Sequence, residues 1–355
     1  MSVPWRTTTR PALNVGRATP ESVPASSLRR RDESSFRPTG DSPPTARGRD
    51  EPADSPGRRP QQLPRLVSVI IPVRNGLPHI DEQLRALADQ DYAGDWEVIV
   101  SDNGSTDGTR EHLESHAVTS TLDLTLVDSS ARTGVSHARN VGACAARGDL
   151  FVFFDADDRV RPDCLTNLVD AAQGFDAVSG ALVTTEINSV AVAKSRRIFP
   201  PDKPWEMAAG IPTLPGANHA VWRHAHNGTG GWDESLTASE DNDFAWRLQR
   251  SGYTIGHSAD AIVDYRLRSP CRQVWNQGMA YGEGEVDIRV KHVGDELFPA
   301  FPNPLRFPLT LVGFIAKNPL LPMLVTRTPR RYWLFSLGYE VGRIRGSIRH
   351  RVLCI

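Results

Sequence analysis

The sequence predicts a doubly wound α/β fold, a mostly parallel sheet flanked by helices, followed by a C-terminal helical extension. Three observations carry that prediction. Continuous apolar runs such as "LVSVIIPV" and "LFVFFDAD" match strands buried on both faces of a parallel sheet. Helical patterns alternate with these runs, as right-handed crossovers require. The runs also end repeatedly in acid or turn residues, and open α/β sheets bind ligands beyond the carboxyl ends of their strands.

The elements follow in order. Residues 1–64 are dense in Pro, Arg, Ser, Thr, Asp and Gly, and cannot bury enough apolar surface to offset their ordering entropy. They are expected to form a disordered tail. Order is expected from Leu66, with "LVSVIIPV" as the first strand. "PHIDEQLRALADQ" places Ile80, Leu84 and Leu87 on one helical face. "WEVIVSD" is the second strand, "GTREHLESH" a short helix and "LDLTLVD" the third strand. "GVSHARNVGACAARG" reads as a helix closed by Gly148, and "LFVFFDAD" as the fourth strand. "PDCLTNLVDAAQ" begins near Pro162, where proline is tolerated. "DAVSGALVTTEI" and "ADAIVDYRLR" are again strand-like, the latter after a helix that Gly252 stops. The expected divisions are a tail to residue 64, a catalytic unit over 65–268 and a C-terminal segment over 269–355.

The 355 residues suffice for one large α/β domain or two ordinary ones. A formal net charge of -1 points to no nucleic-acid partner. Cys144, Cys164, Cys271 and Cys354 have no CxxC spacing, which argues against a thiolate zinc site or a redox pair. Cys144 and Cys164 fall in apolar-patterned segments and are expected in the core, which suits a reducing compartment. The sequence shows no apolar leader-like run at its start and no uninterrupted apolar stretch of about 18 residues. A cytoplasmic protein is expected.

The chemistry-bearing residues collect at the predicted strand ends. Asp155 and Asp157, spaced i, i+2 after a strand, can both reach one hard cation. Oxygen-only ligands suit Mg²⁺ or Mn²⁺. The competing reading makes these acids caps of the following helix. Asp102 ends the second strand within "SDNGSTDGT" and can accept from a base or ribose, whereas Asp107 is expected to cap the next helix. Arg139 lies about one turn into its helix, where it could meet phosphate, the edge acids or only solvent. Glu240, Asp241 and Asp243 precede an amphipathic helix with Phe244 and Leu248 on its buried face.

Together "VSVIIPVRNG", "WEVIVSDNGSTDGT", "GVSHARNVGACAARGDLFVFFDADD" and "GGWDESLTASEDNDFAWRLQRSGY" resemble the family 2 glycosyltransferases over residues 66–268. The resemblance implies a GT-A fold and an inverting, metal-dependent transfer from a nucleotide-sugar donor. It places Pro72, Arg74, Asp102 and Asp155 around the nucleotide, with Arg139 near its diphosphate. It makes Asp157 a ligand of Mn²⁺ or Mg²⁺ and Asp241 the general base. Glu240 and Trp232 are candidates for the acceptor side or the metal's surroundings. So is Asp264, which stands where many relatives carry a His. The QxxRW signature of processive synthases is absent, so a single addition is expected. The acceptor class stays open among glycan, lipid-linked and small-molecule hydroxyls.

The apolar segment 297–325 is broken by Pro302, Pro304, Pro308, Pro319 and Pro322 and cannot form one straight membrane helix. "RRYWLFSLGYEVGRIRGSIRHRV" mixes aromatic residues with Arg. It suits either contact with a membrane surface, on the inner face, or a helical pair packed on the catalytic unit. A sugar-phosphate nucleotidyltransferase would open with a Gly-rich "GGxGTR" loop where this chain has "PVRNGLPH". A non-catalytic nucleotide-sugar-binding protein would not need Asp155, Asp157 and Asp241 together.

Overall fold

The computed structural model describes residues 62–115, 121–196, 198–207, 210–299, 301, 312–313 and 329–354. The expected N-terminal tail and most of the Pro-broken segment lie outside the described residues.

Strand β1 (Val67–Val73) is buried along its whole length. Its side chains divide by the two-residue period of a strand. Val67, Val69 and Ile71 join one apolar cluster with Ile80, Leu84 and Leu87 of helix α1 (Ile80–Ala88). Ile70 points the other way, into a cluster with Phe151, Phe153 and Phe244. This two-sided burial is why the sequence runs apolar without alternation. Each fully buried Phe or Leu contributes roughly 1.5–3 kcal/mol to holding the layers together.

The chain continues through β2 (Trp96–Asp102), α2 (Thr109–Ser115), β3 (Leu124–Asp128), α3 (Val135–Ala145) and β4 (Leu150–Phe154). A short β5 (Arg159–Val160), α4 (Cys164–Ala172) and β6 (Ala177–Val183) come next. One turn of helix, α5 (Val190–Ala193), and a two-stranded ribbon, β7 (Glu206–Met207) with β8 (Ile211–Pro212), lead to β9 (Asn218–Trp222). Helices α6 (Arg223–Gly228) and α7 (Glu240–Arg250) precede β10 (Ile255–Asp264). The main sheet has eight strands in the order β3-β2-β1-β4-β9-β6-β10-β5. β1, β2, β3 and β4 are parallel, as are β6 and β10. β9 is antiparallel to both β4 and β6, and β5 is antiparallel to β10. The mixed sheet with helices on both faces is the expected α/β architecture.

Three local expectations are corrected. Cys144 is exposed, because α3 turns it away from the sheet; Cys164 is buried as expected. Gly148 does not close α3, which ends at Ala145; it lies against β1, where an added Cβ would come 2.5 Å from the Leu66 carbonyl oxygen. The β9 strand was not anticipated, since "NHAVW" is short and mixes polar with apolar residues.

Two further helices, α8 (Cys271–Lys291) and α9 (Arg330–His350), pack side by side and run parallel. Their glycines make the approach possible. A Cβ at Gly282 would lie 2.0 Å from the Tyr339 carbonyl oxygen, and one at Gly342 would lie 2.1 Å from that of Met279. Three arginines of α9 are paired with acids, Arg343 largely buried and Arg345 and Arg349 at the surface. Arg343 pairs with Glu340 at 3.1 Å, Arg345 with Glu283 at 3.2 Å, and Arg349 with Asp287. α8 in turn meets the catalytic unit: Gly284 abuts Ala238, while Lys291 and His292 pair with Asp243 of α7. The structure therefore builds the helical pair, the second reading of this segment. Among the described residues no helix is long and apolar enough to cross a membrane.

Candidate active site

The sheet register brings the predicted residues to one edge. Val73 pairs with Asp102, and Ile70 with Phe153. Two residues further along β4's path, Asp155 stands level with Pro72. Pro72 is buried and Arg74 exposed. Asp102 closes a turn, its Oδ1 accepting the Ser105 N–H at 3.1 Å and the Ser105 hydroxyl at 2.6 Å. Asp107 accepts the Thr109 N–H at 3.0 Å, the helix-capping role expected of it.

The turn after β4 is fixed from below by Gln83. Its Nε2 donates to the Asp155 carbonyl at 3.0 Å, and its Oε1 accepts the Val160 N–H at 3.0 Å. Gln83 is fully buried on the apolar face of α1, and sequence reasoning passed over it. Its signal was a polar residue within the Ile80, Leu84, Leu87 stripe.

Asp155, Asp157 and Asp158 present carboxylate oxygens within 4.8 Å of one another. Asp158 is fully buried; its Oδ1 accepts the Arg266 N–H at 2.7 Å, and its Oδ2 has no partner among the described residues. An unpartnered buried carboxylate oxygen is costly. Burial, together with Asp155 and Asp157, pushes the Asp158 carboxyl well above its ordinary range. An oxygen-only donor set with one such orphaned oxygen fits a hard divalent cation. Asp157 receives Arg268 Nη1 on its Oδ2 at 2.8 Å, and its carbonyl receives Arg266 Nε at 2.7 Å.

Asp264 is placed differently from its candidacy. It is buried, and both its oxygens are taken: Oδ2 by Arg159 Nη2 at 2.8 Å and Oδ1 by Arg161 Nη2 at 2.9 Å. It fastens β10 to β5 and is not part of the acidic cluster.

Arg139 is the link across the site. Only 3% of its side chain is exposed. Nη1 donates to Glu240 at 2.9 Å, and Nη2 to Asp155 at 3.3 Å and the Gly216 carbonyl at 3.2 Å. Of the openings left at this position, the structure takes the pairing with the edge acids. Burial works against its charge, but Asp155 and Glu240 outweigh that and hold it firmly protonated. The guanidinium lies over the Trp232 ring at 4.6 Å. Trp232 itself is 2% exposed and stacks on Phe244 at 4.6 Å. It is the floor beneath Arg139.

Glu240 and Asp241 occupy the first turn of α7. Burial raises the Asp241 carboxyl to about 7, Glu240 adding to this while the Asn242 N–H, Arg139 and Gly216 oppose it. His219 is buried and pushed down to about 3 by burial and then by Arg139, so it stays neutral. Asp243 is fully buried beneath the turn, bound to Arg247 Nε at 2.7 Å and His292 Nε2 at 2.8 Å. Beside α7 opens a cavity of about 410 Å³. Ser239 and Asn242, flanking Glu240 and Asp241, line it together with Tyr281, Tyr339, Glu206 and Arg289.

The candidate site is thus an acid-ended sheet edge joined through Arg139 to a second pair of carboxylates at the start of α7. Residues 68–228 match the model of glycosyl transferase family 2, and residues 150–339, more than half of the chain, match that of glycosyl transferase family group 2. The chain belongs to the family 2 glycosyltransferases. It is 26% identical over 265 residues to the succinoglycan biosynthesis protein ExoA of Rhizobium meliloti, covering 71% of this chain and 80% of that one. It is 27% identical to the glycosyltransferase AglE of Haloferax volcanii over 63% of this chain and 74% of the relative. Among solved structures it is similar to the mannosyltransferase PcManGT of Pyrobaculum calidifontis in complex with GDP-Man and Mn²⁺. That likeness has a TM-score of 0.57 and 25% identity over 81% of this chain and 89% of the other. The GT-A architecture follows.

Proposed function

We propose that this enzyme transfers a sugar from a nucleotide-diphosphate donor to an acceptor hydroxyl, with inversion and one addition per cycle. One observation carries the reading. Arg139 joins Asp155, on the donor side of the sheet edge, to Glu240, the neighbour of an Asp241 whose carboxyl titrates near neutrality. The mannosyltransferase of similar fold holds GDP-Man and Mn²⁺, which supports a nucleotide-sugar donor and a divalent metal here.

In this reading Pro72, Arg74 and Asp102 surround the nucleotide, Arg139 stands near its diphosphate, and Asp155 meets the ribose. Asp157, with Asp155 and Asp158 beside it, would hold the metal. When bound, such an ion neutralises charge on the departing diphosphate. Asp241 accepts the proton of the acceptor hydroxyl, whose oxygen attacks the anomeric carbon from the face opposite the leaving group. Glu240 is held by Arg139 and so keeps the first turn of α7 in place. The cavity beside α7 receives the acceptor, where Tyr281 and Tyr339 offer aromatic faces to a sugar ring or an apolar carrier. The acceptor belongs to a cell-envelope glycan pathway, in keeping with the succinoglycan biosynthesis relative. The enzyme works in the cytoplasm, at the inner membrane surface.

The test is a panel of UDP- and GDP-sugars with Mn²⁺ or Mg²⁺, followed by proton NMR of the transferred or hydrolysed sugar. Inverted anomeric configuration is expected, and retention would overturn the mechanism. Co-sedimentation of the full chain with anionic vesicles, weakened by salt, checks the membrane assignment. Equal recovery in the supernatant with and without vesicles would remove it.

A further inference from the structure

The chain leaving β10 is attached to the acidic turn at two successive arginines that behave differently. Arg266 is held at three points: its N–H donates to Asp158, its Nε to the Asp157 carbonyl and its Nη2 to Glu82. Arg268 is half exposed, and its guanidinium holds a single hydrogen bond among the described residues, Nη1 to Asp157 Oδ2 at 2.8 Å. The first arginine pins the loop. The second puts a half-exposed positive charge on the carboxylate assigned to the metal.

Resting on that assignment, we propose that Arg268 is an internal counter-ion of the acidic turn, which makes metal and donor bind as a coupled pair. A divalent cation reaching Asp157 alone must displace the guanidinium and then sit beside it, with like charges a few ångströms apart. A donor diphosphate removes both penalties. It brings negative charge for the cation, and its oxygens offer the guanidinium a fork-shaped partner that matches its own geometry. Arg268 therefore turns from Asp157 to the diphosphate when the ternary complex forms. Because binding free energies are reciprocal, the metal strengthens donor binding by the same factor.

The experiment measures Mn²⁺ binding to the full chain, without nucleotide, from the electron paramagnetic resonance signal of free Mn²⁺. The forms compared are the natural chain, Arg268→Met, Arg268→Lys, Asp157→Asn and Arg268→Met combined with Asp157→Asn. Arg268→Met should bind Mn²⁺ about tenfold tighter or more, since a cation is gone from the ligand's side. Arg268→Lys keeps the charge, should stay near the natural affinity, and shows that the loop still folds. Adding Asp157→Asn should erase the gain. The Mn²⁺-dependent enhancement of UDP or GDP affinity should shrink in Arg268→Met. Unchanged Mn²⁺ affinity in Arg268→Met, with Asp157→Asn still abolishing it, overturns the counter-ion and leaves the metal site standing. If Asp157→Asn leaves Mn²⁺ affinity untouched, the metal assignment falls, and the counter-ion with it.

Discussion

Asp241, the proposed base, shows how one side chain can be perturbed at a cost to the fold. Burial lifts its carboxyl from an ordinary 3.8 to about 7. As the proposed base it must be ionised to accept a proton, so kcat/KM should rise with pH through about 7 and level off above it. Stability moves the other way. Between about pH 4 and 7 the native state keeps a proton that the unfolded chain has released, so this group's contribution to stability falls as pH rises. Asp241→Asn should reduce kcat by about 10²–10⁴-fold with donor affinity nearly unchanged. The same variant should gain Tm over the natural chain as pH rises from 4 to 7, with a constant gap above. A flat Tm difference across that range would place the carboxyl's titration elsewhere. Glu240→Gln should cost less turnover, because Arg139 keeps a hydrogen-bond acceptor there. The sequence showed Asp241 as an acid at a helix start and, through resemblance, as the base. It could not show Arg139 spanning Asp155 and Glu240, because that contact joins residues 101 positions apart. Nor could it show Asp264 spent on Arg159 and Arg161, since an acid at a strand end reads the same whether it binds metal or arginine.

At the level of elements, the parallel strands were legible because each carries its own pattern. Val67 to Val73 must be apolar on both faces to fill two clusters, and no other element explains such a run. β9 was illegible for the converse reason. Its Asn218 is a buried polar group satisfied by distant partners, donating to the Ala181 and Ala261 carbonyls at 2.9 Å each. Polar residues whose hydrogen bonds close only in the tertiary structure look like loop. The glycines of α8 and α9 were visible as letters, but their spacing gains meaning only when the two helices meet. Gly282→Ala would drive a methyl group into the Tyr339 carbonyl, so the helices must separate. The expected loss is about 1–3 kcal/mol of unfolding free energy by denaturant titration, with a matching Gly342→Ala of similar size.

For the whole molecule, the catalytic unit begins sharply. The Arg65 N–H donates to Asp149 at 3.0 Å, and β1 starts two residues later. A chain beginning at Pro64 should therefore keep full turnover with soluble acceptor; a large loss would mean the tail completes the site. The direction of β9 has a further consequence. β1, β2 and β4 present the loops that follow them to the reaction edge, whereas the antiparallel β9 presents the loop that precedes it. That incoming loop delivers Gly216 to Arg139. Donor recognition and the approach to β9 are thus written in separate stretches of chain that meet only in space. The stretch that leads into β9 is separate in sequence from the strand ends proposed to receive the nucleotide. A fold arranged this way lets inheritance vary what is glycosylated while retaining the machinery that activates the sugar.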